Sequence, residues 1–182
     1  MIFISAKLEV TCLSYFNLKG SSTVTGTEVA LSTNLYLPVD DGGIPTGGPA
    51  MYKGIEANKT FTLGPQEPSV DDCFVFDKPG TSIPIDTRHE PLQKLATAYH
   101  PETGIHLEVW STEPAFQFYT GKYIDVPAVE SVPARGPRTG FCVEPSRYVN
   151  APNVEEWKGQ VLLKKGAVYG SRTVYRAWND KV

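Results

Sequence analysis

The stretch GIHLEVWSTEPAFQFYTG, residues 104–121, alternates twice between apolar and polar side chains. In its first half Ile105, Leu107 and Val109 fall on one face of an extended chain, and His106, Glu108 and Trp110 on the other. In its second half Phe116 and Phe118 share a side, opposite Ala115, Gln117 and Tyr119. Successive side chains of a strand point to opposite faces, so a period of two predicts strands here and not helix. The same reading extends outward in both directions. Residues 28–36 read as one strand and 59–63 as another. GQVLLKKGAVYGSRTVYRAW, residues 159–178, reads as a short strand, a Lys-Gly turn and a long β-branched and aromatic strand. Between them lie the turn clusters PVDDGGIPTGGP (38–49), DKPGTSIP (77–84) and PARGPRTG (133–140). One short helical turn is expected at residues 50–59 and little helix elsewhere. The 15 prolines and 16 glycines punctuate strands of sandwich type, so the expected fold is all-β and antiparallel.

A chain of 182 residues is long enough for one sizeable core, and a single domain over 1–182 is expected. Hydrophobic residues make up 41% and charged residues 20%, with a net charge of −3. No basic stripe points to nucleic acid, and no apolar run reaches membrane-spanning length. The opening MIFISAKLEV lacks a signal peptide's basic flank and apolar core, and reads as a start placed inside a longer protein. Cys12, Cys73 and Cys142 are odd in number and far apart, which argues against a disulfide framework or a zinc site. A reducing, cytoplasmic setting is the expectation.

Chemistry-bearing residues stand out at three places. In TGFCVEPSRYVNAPN, residues 139–153, Glu144 interrupts an apolar, β-prone run. Alternation puts Glu144 on the face of Cys142, opposite Phe141 and Val143. A carboxylate desolvated on a concave sheet has its pKa pushed up, toward the range of a general base. Gln117, flanked by Phe116, Phe118 and Tyr119, suits a polyhydroxylated ligand that needs hydrogen bonds beside an aromatic wall. Asp71 and Asp72 begin the apolar strand that continues through Cys73, Phe74, Val75 and Phe76. On pattern alone each of these is more often a satisfied edge or turn residue, and the spacing names no reaction.

The segments SYFNLKG, LYLPVDDGGIPTG, VDDCFVF, YHPETGIHLEVWSTEPAFQFYTGKYID and GFCVEPSRYVNAPN occur in the order found in aldose 1-epimerases. With the closing LKKGAVYGSRTVYRAW, the chain resembles that family from about Leu8 to Trp178. The resemblance implies an antiparallel β-supersandwich with a sugar cleft on one curved sheet. It also implies interconversion of the α and β anomers of free hexoses such as galactose and glucose, without a cofactor. The family's base, the Glu of its FC-x-E segment, falls on Glu144. The Gln of QFYTG falls on Gln117 and the Asp of Asp-His-Asn on Asp71, both implied sugar binders.

Two departures accompany the resemblance. The family's general acid is the His of Thr-Asn-His-Ser-Tyr-Phe-Asn-Leu, and that frame here reads Thr11-Cys12-Leu13-Ser14-Tyr15-Phe16-Asn17-Leu18. Leu13 cannot donate a proton; Cys12 beside it is a remote substitute with a poorly matched pKa, and His89, His100 and His106 lie in other segments. The family domain is also about twice as long, and the resemblance covers its C-terminal half. Half a sandwich is expected to expose strand edges and an uncovered apolar face, which a second copy or a partner chain would cover. The implied partner is a small aldose sugar, with neither nucleic acid nor membrane. The alternatives to an impaired isomerase are a non-catalytic carbohydrate-binding or sensor module and a truncated product without function.

Overall fold

A computed structural model describes residues 6–7, 13–76 and 83–180. Cys12, most of the opening decapeptide and residues 77–82 of the DKPGTSIP cluster lie outside these. Among the described residues two antiparallel sheets pack face to face. The six-stranded sheet runs in the order β2 (Tyr15–Phe16), β11 (Phe141–Ser146), β10 (Ala115–Tyr119), β7 (Asp71–Val75), β4 (Leu35–Tyr36), β5 (Ala50–Met51). The five-stranded sheet runs β13 (Thr173–Asn179), β9 (Ile105–Ser111), β8 (Gln93–His100), β3 (Glu28–Leu31), β6 (Phe61–Thr62). A separate ribbon pairs β1 (Ala6–Lys7) with β12 (Leu162–Leu163). No helix among the described residues is long and apolar enough to cross a membrane.

The decisive stretch folds as its alternation requires. Leu107 and Val109 are buried on β9, while Glu108 and Trp110 stay half-exposed. Phe116 and Phe118 on β10 are wholly buried and meet Phe74, Phe141 and Val143 from their own sheet. Val29, Leu31, Ala96, Ala98, Leu107 and Val109 close the same core from the other sheet. Rings bridge the layers: Phe61 stands edge-on to Phe118 at 6.1 Å, and Phe16 lies 5.5 Å from Tyr175. The expected uncovered apolar face is therefore corrected among the described residues, because each sheet's greasy side covers the other's. On β13, at one edge, Ala177 is exposed although its β9 partner Leu107 is buried.

Two sequence expectations need correction. Residues 28–36 form two strands in different sheets. At the break, Thr33 donates its hydroxyl to the Val75 carbonyl at 2.9 Å and accepts the Leu35 amide at 3.1 Å. Ser32 still bonds the Leu95 carbonyl on the other sheet at 2.9 Å, so these three residues carry the chain across the core. Residues 50–59 contain no helical turn. Met51 pairs with Leu35, the Tyr52 amide reaches the Asn34 carbonyl at 2.8 Å, and buried Ile55 pins the turns that follow. Among the described residues 3-10 turns occur at Ala151–Asn153 and Lys158–Gln160, the second where the sequence reading began a short strand that the structure confines to Leu162–Leu163.

Candidate functional site

Glu144 sits on β11, whose neighbour β2 is so short that it pairs only Phe16 with Phe141 and Tyr15 with Cys142. Among the described residues no strand pairing with β2 is assigned to β11 from Val143 onward, and a proline at 145 fits a stretch without ladder bonds on that side. Phe141 and Val143 turn inward to the core, leaving Cys142 and Glu144 on the outward face, as alternation predicts. The flanking apolar residues of the sequence thus face away from the carboxylate. What half-buries Glu144 comes from adjacent strands instead.

The ladder fixes those neighbours. Glu144 is level with Gln117 on β10, and Gln117 with Cys73 on β7. One rung along, Tyr15, Cys142, Tyr119 and Asp71 stand in a row across β2, β11, β10 and β7. Gln117 donates its Nε2–H to Asp71 Oδ1 at 2.8 Å. That bond orients the amide and leaves its carbonyl oxygen to accept from a ligand hydroxyl. The rings of Tyr15 and Tyr119 stand edge-to-face, 6.4 Å apart, on either side of Cys142. Tyr119's hydroxyl accepts the Tyr123 amide at 2.6 Å and is held as part of the wall. Asp72, one residue from Asp71, points through the sheet to a hydrogen bond with Tyr52, so only the first of the two acids belongs to this face.

Burial holds the Glu144 carboxyl above the ordinary carboxylate range; the thiol hydrogen of Cys142 opposes the shift and the Asp71 charge adds to it. The direction matches the sequence expectation. The cause is cross-strand packing and not the greasy chain neighbours.

Leu13 is 61% exposed, two residues before Tyr15. Leu13 lies just before β2, outside its paired residues. The histidines lie elsewhere: His100 and His106 belong to the five-stranded sheet, where His106 stacks on Trp178 at 4.7 Å, and His89 sits in the turn before β8. Sequence reading placed Cys142 on the right face but gave it no role, and it missed Tyr15; the aromatic wall it expected beside Gln117 is made on this face by Tyr119, while Phe116 and Phe118 turn into the core. The spacing of Tyr15 from Leu13 was the available signal.

A cavity of about 840 Å³ adjoins this face, lined in part by Tyr15, Asn17, Ser21, Tyr123, Arg135 and Thr139. It shares Tyr15 with the row but includes neither Glu144 nor Gln117. The convergent polar groups Glu144, Gln117 and Asp71 lie on the outward sheet face, outside this cavity's lining.

Residues 5–176 match the model of the family described as Aldose 1-epimerase. The chain is 38% identical over 177 residues to the bifunctional protein gal10 of Schizosaccharomyces pombe, covering 93% of this chain and 24% of that protein. It is 34% identical over 176 residues to the galactose mutarotase of Sus scrofa, covering 91% of this chain and 48% of the mutarotase. The crystal structure of the GalM/aldose epimerase homologue from C. elegans superposes with a TM-score of 0.79 at 21% identity, over 96% of this chain and 52% of that one. The chain therefore spans about a quarter of the gal10 protein and about half of the mutarotase.

Proposed function

The chain belongs to the aldose 1-epimerase family, and from that premise we propose that its outward six-stranded face carries the base side of a sugar mutarotation site. The observation that carries the reading is the cross-strand grouping of Glu144, Gln117 and Asp71 on one face, the carboxylate half-buried and the amide tied at 2.8 Å. In this reading the Gln117 carbonyl and the Asp71 carboxylate accept hydroxyls of a free hexose and turn its anomeric carbon toward Glu144. Glu144 takes the proton from the C1 hydroxyl. The electron pair left on that oxygen forms the aldehyde as the bond from C1 to the ring oxygen breaks, and the ring oxygen gains a proton. Rotation about C1–C2 and reclosure deliver the other anomer, returning the proton from Glu144. A raised carboxylate pKa serves this step, since a base works best near the ambient pH.

The ring oxygen's proton is the weak point. Leu13 stands where a donor is wanted, so protonation falls to water, and a positioned donor is worth roughly 10²–10⁴-fold. The chain is expected to accelerate mutarotation well below a complete acid–base pair. Polarimetry of freshly dissolved α-galactose and α-glucose tests this. Acceleration over buffer that Glu144→Gln abolishes supports the reading, and no acceleration from folded protein ends it. The exposed Leu13 favours a second reading, a carbohydrate-binding module without turnover. Calorimetric binding of galactose without anomer exchange would select it.

A further inference from the structure

We propose that Cys142 is a positioning residue for the Glu144 carboxylate, donating its S–H to that group while its sulfur accepts the Tyr15 hydroxyl. Three side chains on two adjacent strands then form one directed chain of hydrogen bonds. Its catalytic meaning rests on the mutarotation reading, but its existence does not. Strand geometry supplies the placement: Cys142 lies two residues from Glu144 on the same face, and its rung aligns it with Tyr15 on one side and Tyr119 on the other.

Cys142 has no exposed surface. The strand register sets Tyr15 directly opposite it on β2 and Glu144 two residues along the same face of β11, the two polar side chains the proposal assigns to it. The groups facing it are Tyr15 from β2, Tyr119 and Gln117 from β10, Asp71 from β7 and Glu144 from its own strand. Burial first, and the Glu144 charge second, push the thiol far above the ordinary thiol range, so it remains S–H at neutral pH and cannot compete as a base. Burial and the same neighbours also raise the Tyr15 hydroxyl, which stays protonated. Both hydrogens therefore point one way, toward the carboxylate. One lone-pair position of Glu144 is filled, its rotation is fixed, and the remaining positions are left for the anomeric hydroxyl. The S–H also restrains the rise in basicity that burial and Asp71 impose.

The test is a pH titration of the Glu144 side-chain carboxyl by ¹³C NMR in the wild-type chain, Cys142→Ala, Cys142→Ser and Tyr15→Phe. Cys142→Ala is expected to raise the Glu144 midpoint, Tyr15→Phe to raise it less, and Cys142→Ser, which keeps a donor, to leave it at or below wild type. Where mutarotation is measurable, the acid limb of kcat/KM shifts in the same order, with a fall of roughly tenfold in Cys142→Ala at the wild-type midpoint, as for a lost hydrogen bond to a charged group. Tyr15 is 51% exposed, so its phenylalanine variant keeps the question open to refutation even if the buried alanine variant fails to fold. A Glu144 midpoint that does not move in Tyr15→Phe or in folded Cys142→Ala overturns the chain of bonds. A wild-type protein without mutarotation would instead overturn the proposed function and leave the titration to decide this inference by itself.

Discussion

Glu144 sets two requirements against each other. Its half-buried position suits a base but disfavours the charge, so its pKa in the folded chain lies above the unfolded value. The native state then holds this proton more tightly than the unfolded chain does. The stability linked to that proton is complete below the ordinary carboxylate range and is lost as pH rises through the folded midpoint. Glu144→Gln is accordingly expected to melt at a higher temperature than wild type at neutral pH, with the difference vanishing at pH well below that range. Calorimetry across pH measures it, and any mutarotation falls by roughly 10²–10⁴-fold in the same variant. A lower melting temperature at neutral pH would mean that the interactions of the charged carboxylate outweigh the cost of its burial. The sequence marked Glu144 as a candidate because an acid interrupts the β-prone run FCVEP, and the family resemblance, not the pattern, implied its role. The agents of its burial were not legible there. The strands beside β11 are β2 and β10, and no local pattern reports which strands become neighbours.

The strand carrying Glu144 is anchored at its far end by a second constellation that sequence reading passed over. Arg147 and Glu113 are both almost fully buried, with Nε 2.8 Å from Oε2, a close ion pair and not an aligned hydrogen bond. Tyr169 donates its hydroxyl to the other Glu113 oxygen at 2.8 Å, and the Arg147 guanidinium also donates to the Pro84 and Ile85 carbonyls at 2.7 and 3.0 Å. Removing one partner strands a buried charge, so Arg147→Ala is expected to cost about 3–5 kcal/mol in urea unfolding. Replacing both members by apolar residues of similar volume should cost much less, and equal losses would refute the ion-pair account. The other end of the hairpin is equally constrained. Gly121 holds φ at +79°, and a Cβ there would lie 2.2 Å from the Gly140 carbonyl oxygen. The strands of the decisive stretch were legible because each alternates within itself. The break at residues 32–34 was not, since Thr33 serves as a pivot only once Val75 lies beside it.

At the scale of the molecule, one core joins both sheets. Phe74, Phe116 and Phe118 from one layer meet Leu31, Leu107 and Val109 from the other, all of them buried. Phe116→Ala is expected to destabilise by about 3–5 kcal/mol, because a wholly buried ring leaves a cavity that rigid sheets cannot collapse around. Near- and far-ultraviolet circular dichroism should lose signal together on heating, and separate transitions would show that the layers melt independently. The sequence by itself determined the all-β class, the inward and outward sets of most strands, and the side of their own strands on which Glu144 and Gln117 lie. Alternation is a property of the extended backbone and needs no partner to be read. Only the tertiary structure decided which strands lie side by side, that Asp71 reaches Gln117 across 46 residues of chain, and that Tyr15, Cys142 and Glu144 line up. Those contacts join residues far apart in sequence, and their energies exist only after the sheets have closed.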